Sequence, residues 1–200
     1  AVYTLTYIPA WFFADGGIGT KGGPANFIAL HMEAVRLQES VVKKHPYMSH
    51  WTQWVTNIRS IWYLYEPVDG AQRGIVLIGN PLTTLLGLPA LLWALVETIR
   101  KRNPAAGAVV LLYAVTLGFW IVTAKPIQFL YHYFLPSMAL LAALALALDA
   151  IWARGWRWLA LLPLAASVGL FVYFYPILSA APLSGGTQAF AEWMWLKSWR

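Results

Sequence analysis

The 200-residue chain has no cysteine, and only 11% of its residues are charged, eight of them acidic. The first absence excludes a disulfide framework, a thiolate zinc site, an iron–sulfur cluster and a cysteine nucleophile. The second argues against a soluble domain, in which roughly 25% of residues are charged. The four histidines stand in no ligand spacing with carboxylates, and neither Gly16-Gly17 nor Gly22-Gly23 follows a strand. No metal site, phosphate-cradling glycine loop or cofactor is therefore expected. The net charge is +6, but the 14 basic residues are dispersed, and the densest run, Arg100-Lys101-Arg102, closes an apolar stretch. That placement is a topology signal, and no nucleic-acid partner is expected.

Apolar and aromatic residues are abundant: 60% of the chain is hydrophobic, with 12 Trp, 10 Tyr and 9 Phe. Trp and Tyr concentrate where membrane proteins meet lipid headgroups. Four apolar runs, 81–99, 108–124, 134–153 and 159–178, each approach the ~20 residues a helix needs to cross ~30 Å of hydrocarbon. Residues 1–13 are apolar with no positive region ahead of them, so they read as the end of a preceding membrane helix and not as a signal peptide. The chain accordingly reads as the C-terminal part of a larger protein. The expected fold class is all-α: a polytopic membrane protein with about four full transmembrane helices, the end of a preceding one, and extracytoplasmic amphipathic helices. Its divisions are the helix end 1–13, a loop 14–79, the four helices 80–178 and a tail 179–200.

Charge sets the expected orientation. Two short connections hold Arg100, Lys101, Arg102, Arg154 and Arg157, while the connection between them holds Lys125 alone. By the positive-inside rule, 100–107 and 154–158 face the cytoplasm, and the long loop and C-terminal tail lie outside a plasma (inner) membrane that the chain crosses several times. Glu97 and Asp149 sit beside Arg100 and Arg154 near the cytoplasmic helix ends, where charge pairing is expected.

Within the long loop, Phe27, Leu30, Ala34, Leu37 and Val41 recur at helical spacing, with Glu33, Arg36, Ser40 and Lys43 on another face and Asn26 as a cap. This helix is expected to run to Lys43-Lys44, because His45 precedes Pro46 and is pushed out of the α region. A second stretch, 50–65, places Trp51, Trp54, Ile58, Trp62 and Tyr65 three or four apart, the pattern of a helix lying in the membrane interface.

The string His45-Pro46-Tyr47-Met48-Ser49-His50-Trp51-Thr52-Gln53-Trp54, continuing to Arg59, Trp62 and Tyr63, resembles the C-terminal membrane region of the protein O-mannosyltransferases. Gly79-Asn80-Pro81 and the later Phe129-Leu130-Tyr131-His132-Tyr133, with Pro136, resemble two further motifs of that family in the same order. The resemblance covers about 30–140. It departs at Val55, where members often have proline, and at Lys125, four residues before Phe129 where members carry a basic residue just ahead of the motif.

The resemblance implies a bacterial-type membrane glycosyltransferase that moves mannose from polyprenyl-phosphate-mannose to Ser or Thr hydroxyls of a secreted or membrane protein. Its essential acidic residues belong to an N-terminal loop that this chain does not contain, so no catalytic residue is assigned here. The partners it implies are the lipid donor, the acceptor protein, membrane lipids and the remaining N-terminal part of the enzyme. Two rivals are another polyprenyl-phosphate-sugar transferase acting on lipid or glycan, and a non-catalytic membrane scaffold or transporter piece.

Glycosyl transfer needs a base for the acceptor hydroxyl and donors or cations for the leaving phosphate. Candidate donor or phosphate contacts are His45, Tyr47, Arg59, Lys125, Tyr131 and His132. Arg59 offers a planar fork for phosphate oxygens, or snorkels to headgroups. His45 serves phosphate, or merely stops a helix. Tyr131 and His132 belong to a donor site or to an aromatic belt, and Trp51, Trp54 and Trp62 stack on a sugar or form that belt.

Overall fold

The computed structural model describes residues 2–11, 27–123 and 125–200. Asn26, Asp15 and the glycine pairs lie outside the described residues. The chain divides into two compact units, one of 2–11, 27–44 and 125–127, the other of 45–123 and 128–200.

In the first unit, α1 (Val2–Leu5) and α2 (Ile8–Trp11) are single helical turns separated at Thr6-Tyr7, and α3 (Phe27–Ser40) follows. Tyr3, Tyr7, Phe27 and His31 pack ring on ring, with the Tyr3 hydroxyl 2.6 Å from His31 Nε2 and His31 Nδ1 2.7 Å from the Phe27 carbonyl. α3 stops at Ser40, four residues short of the expected end. There the Ser40 hydroxyl bonds back to the Leu37 carbonyl, and the β-branched pair Val41-Val42 extends the helix poorly.

The second unit is a bundle of four helices with a polar end cap. α5 (Pro81–Lys101), α6 (Pro104–Val122), α7 (Phe134–Ala153) and α8 (Arg157–Leu178) are each long and apolar enough to cross a membrane, and match the four expected runs within a few residues. α5 and α6 begin alike. Asn80 accepts from the Leu82 and Thr83 N–H groups and Asn103 from those of Ala105 and Ala106, each with proline at the first helical position. Asn80 also reaches α8, donating to the Ser167 carbonyl at 3.0 Å. α7 is the most buried of the four and packs against the other three. Where α5 crosses it, a Cβ on Gly87 would lie 2.5 Å from Leu140 Cγ, so the approach depends on glycine. Glu97 pairs with Lys101 at 3.0 Å, one residue beyond the arginine beside it in the sequence reading.

The interfacial helix expected over 50–65 is not what forms. α4 covers only Trp51–Val55, and an antiparallel hairpin of β1 (Ile61–Val68) and β2 (Ala71–Leu77) follows. The helix ends because Asn57 adopts a left-handed φ of 53°, a conformation Asn tolerates at helix ends. The hairpin closes on Asp69-Gly70, whose φ values of 50° and 75° are those of a two-residue type I′ turn. Trp51 and Trp54 of the aromatic spacing are helical, but Trp62 and Tyr65 belong to a strand, where the Trp62 ring lies over Gly74 of β2 and a Cβ would stand 2.7 Å from it. The fold is thus mostly helical, with this one hairpin added.

The tail also folds. Leu183 bridges to Gln72, Phe190 packs on Trp62 and Tyr65, and Trp193, Met194 and Trp199 are buried against Val76, Phe174 and Ile177. Burial pushes the Tyr65 phenol up from its ordinary range, against a backbone hydrogen bond at Phe190 that pulls it down, and its hydroxyl donates to the Thr187 carbonyl at 2.9 Å. By the run of the helices, α4, the hairpin, the start of α7 and the tail share one end of the bundle, and the basic connections share the other.

Candidate functional site

At the end-cap side of the bundle a half-open cavity of about 490 Å³ lies between α4, the hairpin and the first turns of α5 and α7. Its walls are mostly apolar, with a few oxygen- and nitrogen-bearing groups converging on it from Asn57, Tyr63, Thr84, Tyr131, Tyr133 and Ser137. Among the described residues no carboxylate lines it.

Each wall has a local cause. Trp54 is 1% exposed because its indole N–H donates to the Ser49 hydroxyl at 2.8 Å, and Ser49 N–H in turn donates to the Gln128 carbonyl at 2.8 Å. Asn57 closes a reciprocal pair with Gly79, donating to its carbonyl at 2.8 Å and accepting from its N–H at 3.0 Å, which ties the end of α4 to the start of α5. Tyr63 is the extra residue of a β-bulge: Trp62 pairs with Val76 and Leu64 with Ile75, leaving Tyr63 opposite no partner. A bulge re-aims its side chain, and here Tyr63 turns to the cavity, 59% exposed. A 3-10 turn, Leu130–Tyr133, delivers Tyr131 and Tyr133 from the other side. Tyr133 is buried and shares a 2.9 Å hydroxyl contact with Tyr113, while the Tyr63 and Tyr131 hydroxyls have no protein partner among the described residues.

The expected site residues separate into groups. Trp54 and Tyr131 meet at the cavity, with His132 packed behind them: its ring lies 5.9 Å from Trp54 and 3.9 Å from Trp120, and Nδ1 is 2.9 Å from both the N and O of Phe129. His132 and Tyr133 are buried, unlike belt residues, whereas Tyr131 is 44% exposed. His45 forms a turn, its Nδ1 accepting from Tyr47 N–H, and its ring stands edge-on to Phe129. Arg59 folds back on that turn, donating from Nη2 to the Pro46 carbonyl at 2.7 Å, with Nε buried and without a hydrogen-bond partner among the described residues. Trp51 is exposed. Trp62 faces the tail, donating to the Trp199 carbonyl at 2.9 Å. Lys125 falls in the first unit. Thr84 and Ser137, which no motif singled out, are brought in by helix phase: both stand in the first turns of helices whose starts were legible. Among the described residues no cluster of His and carboxylates is placed to hold a metal ion.

A helical multi-pass membrane protein with an apolar, sparsely polar cavity at one end of its bundle is the class that this fold and site define. Residues 24–199 match the family described as the C-terminal four TMM region of protein-O-mannosyltransferase, and the chain belongs to that family. It is 28% identical, over a 238-residue alignment, to the polyprenol-phosphate-mannose–protein mannosyltransferase of two strains of Mycolicibacterium smegmatis. That alignment covers 100% of this chain and 45% of each relative, so the chain spans about half of their length. The fold resembles, with a TM-score of 0.70 and 22% identity, the structure of the S. cerevisiae protein O-mannosyltransferase Pmt1–Pmt2 complex bound to the sugar donor, covering 88% of this chain and 26% of that one.

Proposed function

We propose that this chain is the donor-side, C-terminal membrane region of an enzyme that transfers mannose from polyprenyl-phosphate-mannose to Ser or Thr hydroxyls of secreted proteins. The observation that carries the reading is the cavity. A lipid-linked sugar presents a long apolar chain, one phosphate and a ring of hydroxyls, and an apolar cleft with a few convergent polar groups suits that mixture. The unpartnered phenols of Tyr63 and Tyr131 are the donors best placed for phosphate or sugar oxygens. His132 fixes the turn that presents Tyr131. Arg59, with one nitrogen on the Pro46 carbonyl, holds the His45–Tyr47 turn and keeps its buried Nε for an anion. Trp54 offers the ring for a sugar face. The resemblance implies that the base comes from the family's N-terminal acidic loop, in another part of the enzyme.

In the same reading the end cap faces outside the plasma membrane. Cysteines placed singly at Gly70 and Ala105, both exposed, test this: an impermeant maleimide should label the first and not the second in intact cells. The reverse pattern would invert the topology. Function is tested in the full-length protein with polyprenyl-phosphate-mannose and a Ser/Thr peptide. Wild type should transfer mannose. Tyr131→Phe should lose about tenfold in kcat/KM, the scale of one hydrogen bond to a charged group, and Arg59→Ala some 10²–10³, with Arg59→Lys between. Wild-type activity per folded molecule in Tyr131→Phe would remove the cavity phenol from the reaction, and in Arg59→Ala would remove Arg59 as a phosphate contact.

A further inference from the structure

The connection from α4 to β1, residues 56–60, passes along the cavity with neither helix nor strand to satisfy its carbonyls. A buried carbonyl left without a donor costs about 1–3 kcal/mol, so such groups find partners. Here the donors come from the far end of the chain. The Trp199 indole N–H donates to the Asn57 carbonyl at 2.9 Å, and the Ser198 hydroxyl donates to the Ile58 carbonyl. The exchange runs in reverse at the Trp199 carbonyl, which accepts from the Ser60 hydroxyl at 2.7 Å and the Trp62 indole at 2.9 Å. Trp199 and Ser60 are each 2% exposed, so water does not compete for the Trp199–Asn57 and Ser60–Trp199 bonds, whereas the Ser198 bond lies at the surface.

What the ties restrain is the wall of the cavity. Asn57 sits at φ 53°, a conformation that is unfavourable without local support, and its amide is committed to both sides of Gly79, which also lines the cavity. Tyr63 follows Ser60 by three residues at the bulge. We propose that the turn Lys197–Trp199 is a positioning element of the donor site. It does not line the cavity, but by bonding the connection at Asn57, Ile58 and Ser60 it holds Asn57 in place and aims Tyr63, and so sets affinity for the lipid-linked sugar. This rests on the reading of the cavity as the donor site. A tail that only filled space would need the Trp199 ring against Phe174 and Trp195, at centroid distances of 6.0 and 6.3 Å, and would not need its indole N–H.

The test uses the full-length enzyme with Trp199→Phe, which keeps a packed ring and loses the donor, and Ser60→Ala, which removes one hydroxyl; Ser60→Thr is the conservative control. Two quantities are read: steady-state transfer from polyprenyl-phosphate-mannose to a Ser/Thr peptide, and equilibrium binding of a short-chain polyprenyl-phosphate-mannose to the purified protein. Trp199→Phe and Ser60→Ala should each raise KM and Kd for the donor roughly fivefold to tenfold, the scale of one lost hydrogen bond, with kcat within about twofold. Ser60→Thr should restore both. Donor Kd and KM within twofold of wild type in both variants overturn the positioning role, as does a loss that tracks folded yield while activity per folded molecule is unchanged. A wild-type protein that neither binds the donor nor transfers mannose overturns the reading of the cavity, and the positioning role with it.

Discussion

The four-helix bundle and its end cap are stabilised in different ways. In the bundle, contact is made by small and apolar side chains, as where Gly87 admits Leu140, and each helix satisfies its own backbone, as a membrane requires. In the end cap, polar side chains reach backbone groups more than 100 residues away: Ser60 and Trp62 to Trp199, and Arg73 to Ala180 at 2.8 Å. The cavity lies where the two regimes meet. A scaffold of self-sufficient helices provides the floor, and irregular backbone, held by specific bonds, provides walls that bring single residues such as Tyr63 and Asn57 to one place.

The comparison is broken most severely at Trp54, which is fully buried and belongs to the end cap yet packs on the bundle. Trp54→Ala should cost about 3–5 kcal/mol, because a large ring and its bond to Ser49 are lost together. Thermal unfolding of the detergent-solubilised protein is the measurement, and a melting temperature unchanged from wild type would deny Trp54 its place in the core. In the bundle, Gly87→Val should cost about 1–3 kcal/mol by forcing α5 from α7. Leu140 is 2% exposed and has little room to move, so a silent Gly87→Val would mean that the crossing is looser than described. Gly70→Ala, at φ 75° in the hairpin turn, should cost about 1 kcal/mol, read as faster amide exchange in β1 and β2 with the helices unaffected. Exchange rising equally in all elements would show that hairpin and bundle unfold as one. Least of all, Lys101→Met at the other end of the bundle should change stability by no more than about 1 kcal/mol, since the Lys101 side chain is 63% exposed, although its partner Glu97 is only 13% exposed. A larger effect would assign that pair a structural role.

Part of the end cap has a local signal in the sequence. Val68-Asp69-Gly70-Ala71 is a two-residue hairpin signal flanked by β-branched and aromatic residues, and it competed with an aromatic spacing of three and four that a bulged strand imitates when one residue, Tyr63, is added to the register. The motif residues His45 to Trp54 and Phe129 to Tyr133 were visible as strings. That Ser49 joins Gln128, that His45 faces Phe129, and that Arg59 turns back on Pro46 while Trp62 turns to the tail depend on partners distant in the chain.

The sequence by itself determined the four membrane helices, the start of the first at Asn80-Pro81, and the basic connections at one end, while the second begins at Pro104, four residues ahead of its apolar run. Hydropathy and capping act over ~20 residues, and a helix in lipid needs no other segment to satisfy its backbone. Only the tertiary structure decided the cavity, the aim of Tyr63, the left-handed turn at Asn57 and the folding of the tail onto the hairpin. Those features exist because strands and irregular connections leave carbonyls and N–H groups unpaired, and which distant donor satisfies each one is a property of the packed chain and not of any local run of residues.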